Sequence, residues 1–247
     1  LVALLFTACG GESPDKLIGS AKEYLAKNDP KAAVIQIKNA LQKNPEVADG
    51  RFLLGKALLE VGEPIAAEVE LRKALDQKYP ENKVVPLLAR ALLAQGQIKK
   101  VIEEFSRTVL TEAESKADLD TSLAMAQAAL GDTKAAEDAL TRTLQAMPNY
   151  APAMTAQARL KAAAKDYSGA EALVDAVLAK NAKAFDAWKL KGDIQLALAK
   201  ADEGLVSYAK SIESKHDYLP AYIGSISVLL SENKLDEAGK QLADLKK

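Results

Sequence analysis

Few residues in this chain are equipped for covalent or acid–base chemistry. His216 is the single histidine and Cys9 the single cysteine among 247 residues. A Cys/His zinc set therefore lacks ligands. A nucleophile–base–orienter set could be built only around His216. That residue sits between Lys215 and Asp217 in a stretch that reads as a loop, the setting of a solvated side chain. No glycine-rich phosphate loop is present, and Gly10-Gly11 reads as a tether. Carboxylate pairs such as Glu103-Glu104 and Asp236-Glu237 lie in patterns of solvated helix surface, which gives a glycosidase-type acid pair no support. The expectation is a non-enzyme with no cofactor and no bound metal. What remains is a set of cations, Lys22, Lys56, Arg90 and Arg159, that fall on one regular spacing with a single position skipped before the last. Such a line suits carboxylates on a partner.

That spacing belongs to the whole chain. Ala33, Ala67, Val101, Ala136, Ala170, Gly204 and Ala238 follow one another at 34 residues, with a single step of 35. A second small column, Ala21, Gly55, Ala89, Ala124, Ala158, Gly192 and Ile226, keeps the same steps and the same slip. A third column is large and apolar: Ile37, Leu71, Phe105, Leu140, Val174, Tyr208 and Leu242. Small residues let two helices approach closely, and the large one fills the space beside them. One unit cannot bury its own apolar face, so neighbours must stack.

Composition agrees with helices packed on helices. Apolar residues make up 49%, aromatic residues only 5%, and Val and Ile form no alternating runs. The net charge is −1 from 33 basic and 34 acidic residues, which argues against a general nucleic-acid binder. Asp29-Pro30 and Glu63-Pro64 place proline at the first position of second helices, and Asp132 and Asp166 are candidate caps for later ones. Pro45, Pro80 and Pro148 follow second helices. The extra residue of the longer step is expected within Thr111–Lys116, in a loop that leaves both flanking helices unshifted. Residues 1–13 read as a separate segment, the remnant of a secretory signal with a lipobox and a tether, and the repeats as units near 14–47, 48–81, 82–116, 117–150, 151–184, 185–218 and 219–247.

A 34-residue unit of two helices resembles the tetratricopeptide repeat. Leu54-Gly55, Trp188 with Gly192, Tyr24, Tyr208, and Ala33, Ala40 and Pro45 carry the resemblance. Unit three departs from it at Val101 and Thr108, and unit five at Gln157-Ala158. The resemblance implies an all-α, right-handed α-solenoid of about seven repeats whose first helices line a concave groove. The groove column then reads Lys22, Lys56, Arg90, Met125, Arg159, Asp193 and Ser227. Either these cations form a ladder for an acidic protein or peptide, or they are solvated helix formers. Phe52, Leu59, Leu93 and Ile223 are either apolar anchors on that face or residues buried between units. Candidate groove residues are Lys22, Phe52, Lys56, Arg90, Arg159 and Lys189, while Trp188 and Tyr222 read as core.

The N-terminus adds a location. Leu1–Cys9 is apolar, lacks an initiating Met and ends Thr7-Ala8-Cys9-Gly10, which resembles a bacterial lipobox with Cys9 as the lipidated residue. The other reading is a buried N-terminal element with an incidental cysteine. The lipobox implies a periplasmic protein held by lipid, and Gly10 after the cysteine favours the outer membrane. The register runs to Lys247 without a polar capping helix, as expected of a piece of a longer protein; Lys246-Lys247 as a natural end is the alternative. The stretch from Tyr24 to Leu75, with Cys9-Gly10-Gly11 before it, resembles the tetratricopeptide lipoproteins of PEP-CTERM/exosortase systems. That resemblance implies an interaction scaffold accessory to exopolysaccharide production or export, or to PEP-CTERM protein sorting. The alternatives are a pilus or outer-membrane assembly lipoprotein, and a polysaccharide-binding or -modifying protein with a further domain beyond Lys247.

Overall fold

The computed structural model describes residues 12–245; Cys9 and the lipobox reading lie outside them. The described residues form fourteen helices and no strand. They pair as hairpins: α1 (Pro14–Ala26) with α2 (Pro30–Lys43), α3 (Ala48–Glu60) with α4 (Pro64–Asp76), and α5 (Glu81–Ala94) with α6 (Ile98–Phe105). Next come α7 (Ala113–Ala129) and α8 (Thr133–Ala146), α9 (Ala151–Ala163) and α10 (Tyr167–Lys180), and α11 (Phe185–Ala197) and α12 (Ala201–Ser214). The last pair is α13 (Leu219–Ser231) and α14 (Leu235–Asp244). The described residues group into two compact units, one up to Ala126 and one from Gln127 onward, with the boundary inside α7.

Every hairpin turn closes in the same way. One residue adopts a left-handed backbone: Asn28, Gly62, Gly96, Gly131, Lys165, Ala199 or Asn233. The next N–H then reaches back to the first helix, as in Asp29 to Tyr24 O at 2.9 Å and Lys200 to Gln195 O at 2.9 Å. This satisfies carbonyls that the helix end would otherwise orphan. The second helix starts at once, with Pro30 or Pro64 in its first turn. Asp29, Asp132 and Asp166 accept from the N–H of Ala32, Ala135 and Gly169 at 3.0, 3.1 and 2.9 Å. Ala199 holds φ 60°, where a Cβ is strained. Ala199→Gly should therefore raise stability by about 0.5–1 kcal/mol, the strain relieved less the extra entropy of glycine in the unfolded chain. Urea unfolding followed by Trp188 fluorescence in the same hairpin checks it; an unchanged or lower midpoint contradicts it.

The small and large columns make the core. Ala33, Ala67, Val101, Ala136 and Ala170 are fully buried, and so are Ile37, Leu71, Leu140 and Val174 beside them. At Gly55 an added Cβ would lie 2.6 Å from Leu71 Cγ, so only glycine permits that approach. Leu242 departs from its column and is 49% exposed. Its equivalents precede a further hairpin, whereas no described helix follows α14.

Two other expectations need correction. The longer step is not confined to a loop at 111–116: α7 begins at Ala113, and α6 ends at Phe105 after only eight residues where other second helices have mostly thirteen or fourteen. Ser106, Thr108 and Val109 are weak helix formers and stand outside the helix. The chain instead turns Leu110 into the core, where it is 6% exposed beside Phe105. Trp188 is half-buried rather than core. Its indole N–H donates to Ala182 O at 2.8 Å, and Lys210 Nζ lies 4.3 Å from the ring centre.

Candidate binding face

In the first unit the basic positions lie on α1, α3 and α5. Lys22 Nζ is 2.8 Å from Asp49 Oδ2 on α3, and Arg90 Nη1 is 3.8 Å from Asp118 Oδ2 on α7. Lys56 stands between them in register, is exposed, and makes no hydrogen bond or ion pair with any described residue. The cause lies in the neighbouring column, which reads Asp49, Lys83, Asp118. Lys83 occupies the place of the acid that would answer Lys56, and it pairs with Glu112 at 2.9 Å instead.

Phe52 forms the apolar part of this face. It is half-buried and stacks on Tyr79, with ring centres 4.6 Å apart and planes 18° from parallel. Tyr79 Oη donates to Asp49 Oδ1 at 3.1 Å. Burial, then the charge and hydrogen bond of Asp49, push the Tyr79 hydroxyl up to about 12, so it remains a donor at neutral pH. Phe52 and Leu59 both pack against the apolar clusters of the hairpins on either side. The face thus combines a fixed aromatic wall, two matched charge pairs and one unmatched ammonium.

The second unit treats its candidates differently. Lys189 Nζ bridges to Asp193 Oδ2 at 2.7 Å, and Asp193 Oδ1 accepts from Tyr208 Oη at 2.8 Å. Burial, then the hydrogen bond and charge of Asp193, push the Tyr208 hydroxyl far above its ordinary value. Arg159 is half-buried and favours ionisation of Tyr218, whose hydroxyl burial nevertheless pushes up. Ser227 is exposed with its Oγ donating to Ile223 O at 2.7 Å, while Met125 of the first unit is half-buried. Ile223 is exposed, and His216 is an exposed loop residue with Nδ1 3.4 Å from Tyr222 Oη.

Three contributors escape a reading by columns of like residues: Tyr79, Lys83 and Asp118. An aromatic residue directly before Pro80, and one lysine within an acidic column, are the signals that mark the first two. Among the described residues no group of three His, Cys, Asp or Glu is placed to hold a metal ion. No described helix is long and apolar enough to cross a membrane.

Paired helices recurring at a constant step, each pair closed by the same turn, define a tetratricopeptide array. Residues 18–83 and 127–194 each match a family profile described as Tetratricopeptide repeat, and together the two segments span more than half of the chain. The chain belongs to the tetratricopeptide-repeat family, and its repeats make it a protein–protein interaction scaffold. Its fold is similar to that of a tetratricopeptide repeat protein from Parabacteroides merdae, with a TM-score of 0.61 and 15% identity over 96% of this chain and 93% of that one. It is also similar to PilW, a widely conserved type IV pilus biogenesis factor, with a TM-score of 0.53 and 19% identity over 85% and 96% of the two chains. Pseudomonas aeruginosa pilF gives a TM-score of 0.52 and 16% identity over 84% and 94%. At these identities the likeness is one of fold. No curated protein sequence matches the chain.

Proposed function

We propose that the first-helix face of the first unit binds an acidic segment of a partner protein. Lys56 carries this reading. Its repeat equivalents Lys22 and Arg90 are answered by Asp49 and Asp118, whereas Lys56 is left exposed beside the Phe52–Tyr79 wall. A carboxylate from outside would complete the series, with the aromatic wall beside it for an apolar neighbour. The place of action we propose is the bacterial envelope, through lipid on Cys9. The partner machinery is that of exopolysaccharide production or export, or of PEP-CTERM protein sorting. The lipobox-like Thr7-Ala8-Cys9-Gly10 and the Tyr24–Leu75 resemblance support this. The fold likeness to PilW and pilF supports a second reading, pilus assembly by the same scaffold.

Envelope pull-downs with the wild-type chain and with Lys56→Glu decide between these readings. Exosortase or polysaccharide-export components should be retained by the wild type, with affinity about tenfold weaker for Lys56→Glu and weakened further by salt. Recovery of pilus components alone sinks the first reading in favour of the second. Equal affinity of wild type and variant removes Lys56 from the site. Mass spectrometry of the mature N-terminus tests the anchor directly: an unmodified, internal Cys9 contradicts it.

A further inference from the structure

We propose that the seventh hairpin, on the face of α13 and α14 turned away from α12, binds the same face of a second copy of this chain about a two-fold axis. This goes beyond the function read from the first-helix face and does not rest on it. Five large apolar residues are 49% to 60% exposed there: Leu219, Ile223 and Leu230 on α13, and Leu235 and Leu242 on α14. With half-buried Ile226, the α13 residues recur at the spacing of one helix side. α13 carries no charged residue, unlike every other first helix. A contiguous apolar patch of this kind marks an interface.

The repeat shows which way the face looks. Ile223 holds the position of Ile18, whose Cδ1 would lie 3.2 Å from a Cβ added to Gly50 on α3. Leu242 holds that of Tyr208, whose ring packs against Gly224 on α13. Both positions therefore look toward a following hairpin, and among the described residues none follows α14.

The first hairpin of another copy does not fit there. Where a first helix meets the hairpin before it, the column of Gly50, Val84 and Ala221 and the column of Ala57, Ala91 and Val228 are buried. The first hairpin has Lys16 and Glu23 at these two places, both exposed. Head-to-tail stacking would press both charges against apolar residues.

The face is instead complementary to itself. On α14, Leu235, Gly239 and Leu242 share one side. In the column of Gly239, Val34, Ile102 and Leu205 pack against the apolar clusters of their hairpins, whereas a Cβ on Gly239 would meet nothing within 4 Å. Glycine weakens a helix interior, and here it lets a second helix approach closely. With two α14 helices antiparallel and crossing near Gly239, Leu235 of one copy meets Leu242 of the other. Asp236 and Lys240 flank this stripe on one side, are exposed, and make no ion pair with any described residue. The same two-fold sets Asp236 of each copy against Lys240 of the other, giving two charge pairs at the rim.

Sedimentation velocity of the full chain over a concentration series tests this. A reversible dimer is expected for the wild type. Leu230→Glu with Leu235→Glu, both at exposed positions, should leave only monomer. Asp236→Lys and Lys240→Asp should each weaken the dimer about tenfold, and the two together should restore it, which the stickiness of an apolar face does not do. Should the double glutamate variant fail to fold by circular dichroism, the charge-swap series decides alone. Monomer alone up to about 1 mM overturns the proposal and leaves the face to a hairpin of another protein. Assembly beyond the dimer, a dimer retained in the folded glutamate variant, or no rescue by the paired swap overturns it as well. Lys56→Glu should leave the dimer unchanged, so failure here and failure at the first-helix face are read separately.

Discussion

Gly192→Ala and Gly224→Ala should each lower the stability of the second unit by about 2 kcal/mol, and together by more than the sum, because both press on Tyr208. The Tyr208 ring lies between these glycines. A Cβ on Gly192 would meet Tyr208 Cε1 at 2.7 Å, and one on Gly224 would meet Tyr208 Cζ at 2.6 Å. The ring cannot retreat from one without closing on the other. It is 1% exposed, and its hydroxyl is tied to Asp193, which also holds Lys189. Alanine brings roughly 1 kcal/mol of helix propensity over glycine, so overpacking must exceed that for the loss to appear. The decisive comparison is a cycle with Tyr208→Val. In the preceding hairpin, Ala158 and Val174 occupy the same two columns and are both fully buried without conflict. With Val at 208, Gly192→Ala should become neutral or stabilising by up to about 1 kcal/mol. Trp188 is the only tryptophan and lies in this hairpin, so its fluorescence follows the relevant transition. An equal cost of Gly192→Ala in both backgrounds would show that Tyr208 is not the obstacle.

The same columns show how far the sequence could be read. Steric identity repeats at a fixed spacing, so the small and large positions and the hairpins they define were legible from residue types alone. Charge pairing is a relation between columns, which explains what was hidden. Lys22 meets Asp49 and Arg90 meets Asp118, in each case an acid that lies just short of one full repeat further along the chain. A column of cations therefore shows four basic residues where the first unit has two neutralised and one free. Phe52 is similar: its partner Tyr79 lies in a connection between hairpins, where no periodicity applies. The third hairpin was illegible for another reason. Thr108 and Val109 end α6 through weak local propensity, and Leu110 repairs the core from outside the repeat pattern.

Beside that short α6 lies an ion network that joins it to α4. Glu68 on α4 accepts from Arg72 at 2.9 Å, from Lys100 on α6 at 2.9 Å and from Gln95 at 2.9 Å. Arg72 also reaches both oxygens of Glu104 on α6 at 3.0 Å. The network fastens α6 to α4 where the helix has lost its last turns. Burial pushes the Glu68 carboxyl up, but the hydrogen bonds from Lys100, Gln95 and Arg72 outweigh it and hold the group at about 2, below its ordinary 4.5. A depressed carboxylate stabilises the fold in its charged form. Its contribution is complete above about pH 4.5 and is lost as the pH falls toward about 2. Glu68 itself is 12% exposed, but Arg72 and Lys100 are 37% and 39% exposed, so solvent screens part of the gain. Glu68→Gln should cost about 2 kcal/mol at neutral pH, the worth of hydrogen bonds to a charged group. It should also flatten the acid dependence, because the glutamine does not titrate. Amide exchange in α6, compared for wild type and variant at about pH 7 and about pH 3, measures both effects. The wild type should lose most of its advantage at the lower pH, and parallel losses in the two proteins would place the acid sensitivity elsewhere than at Glu68.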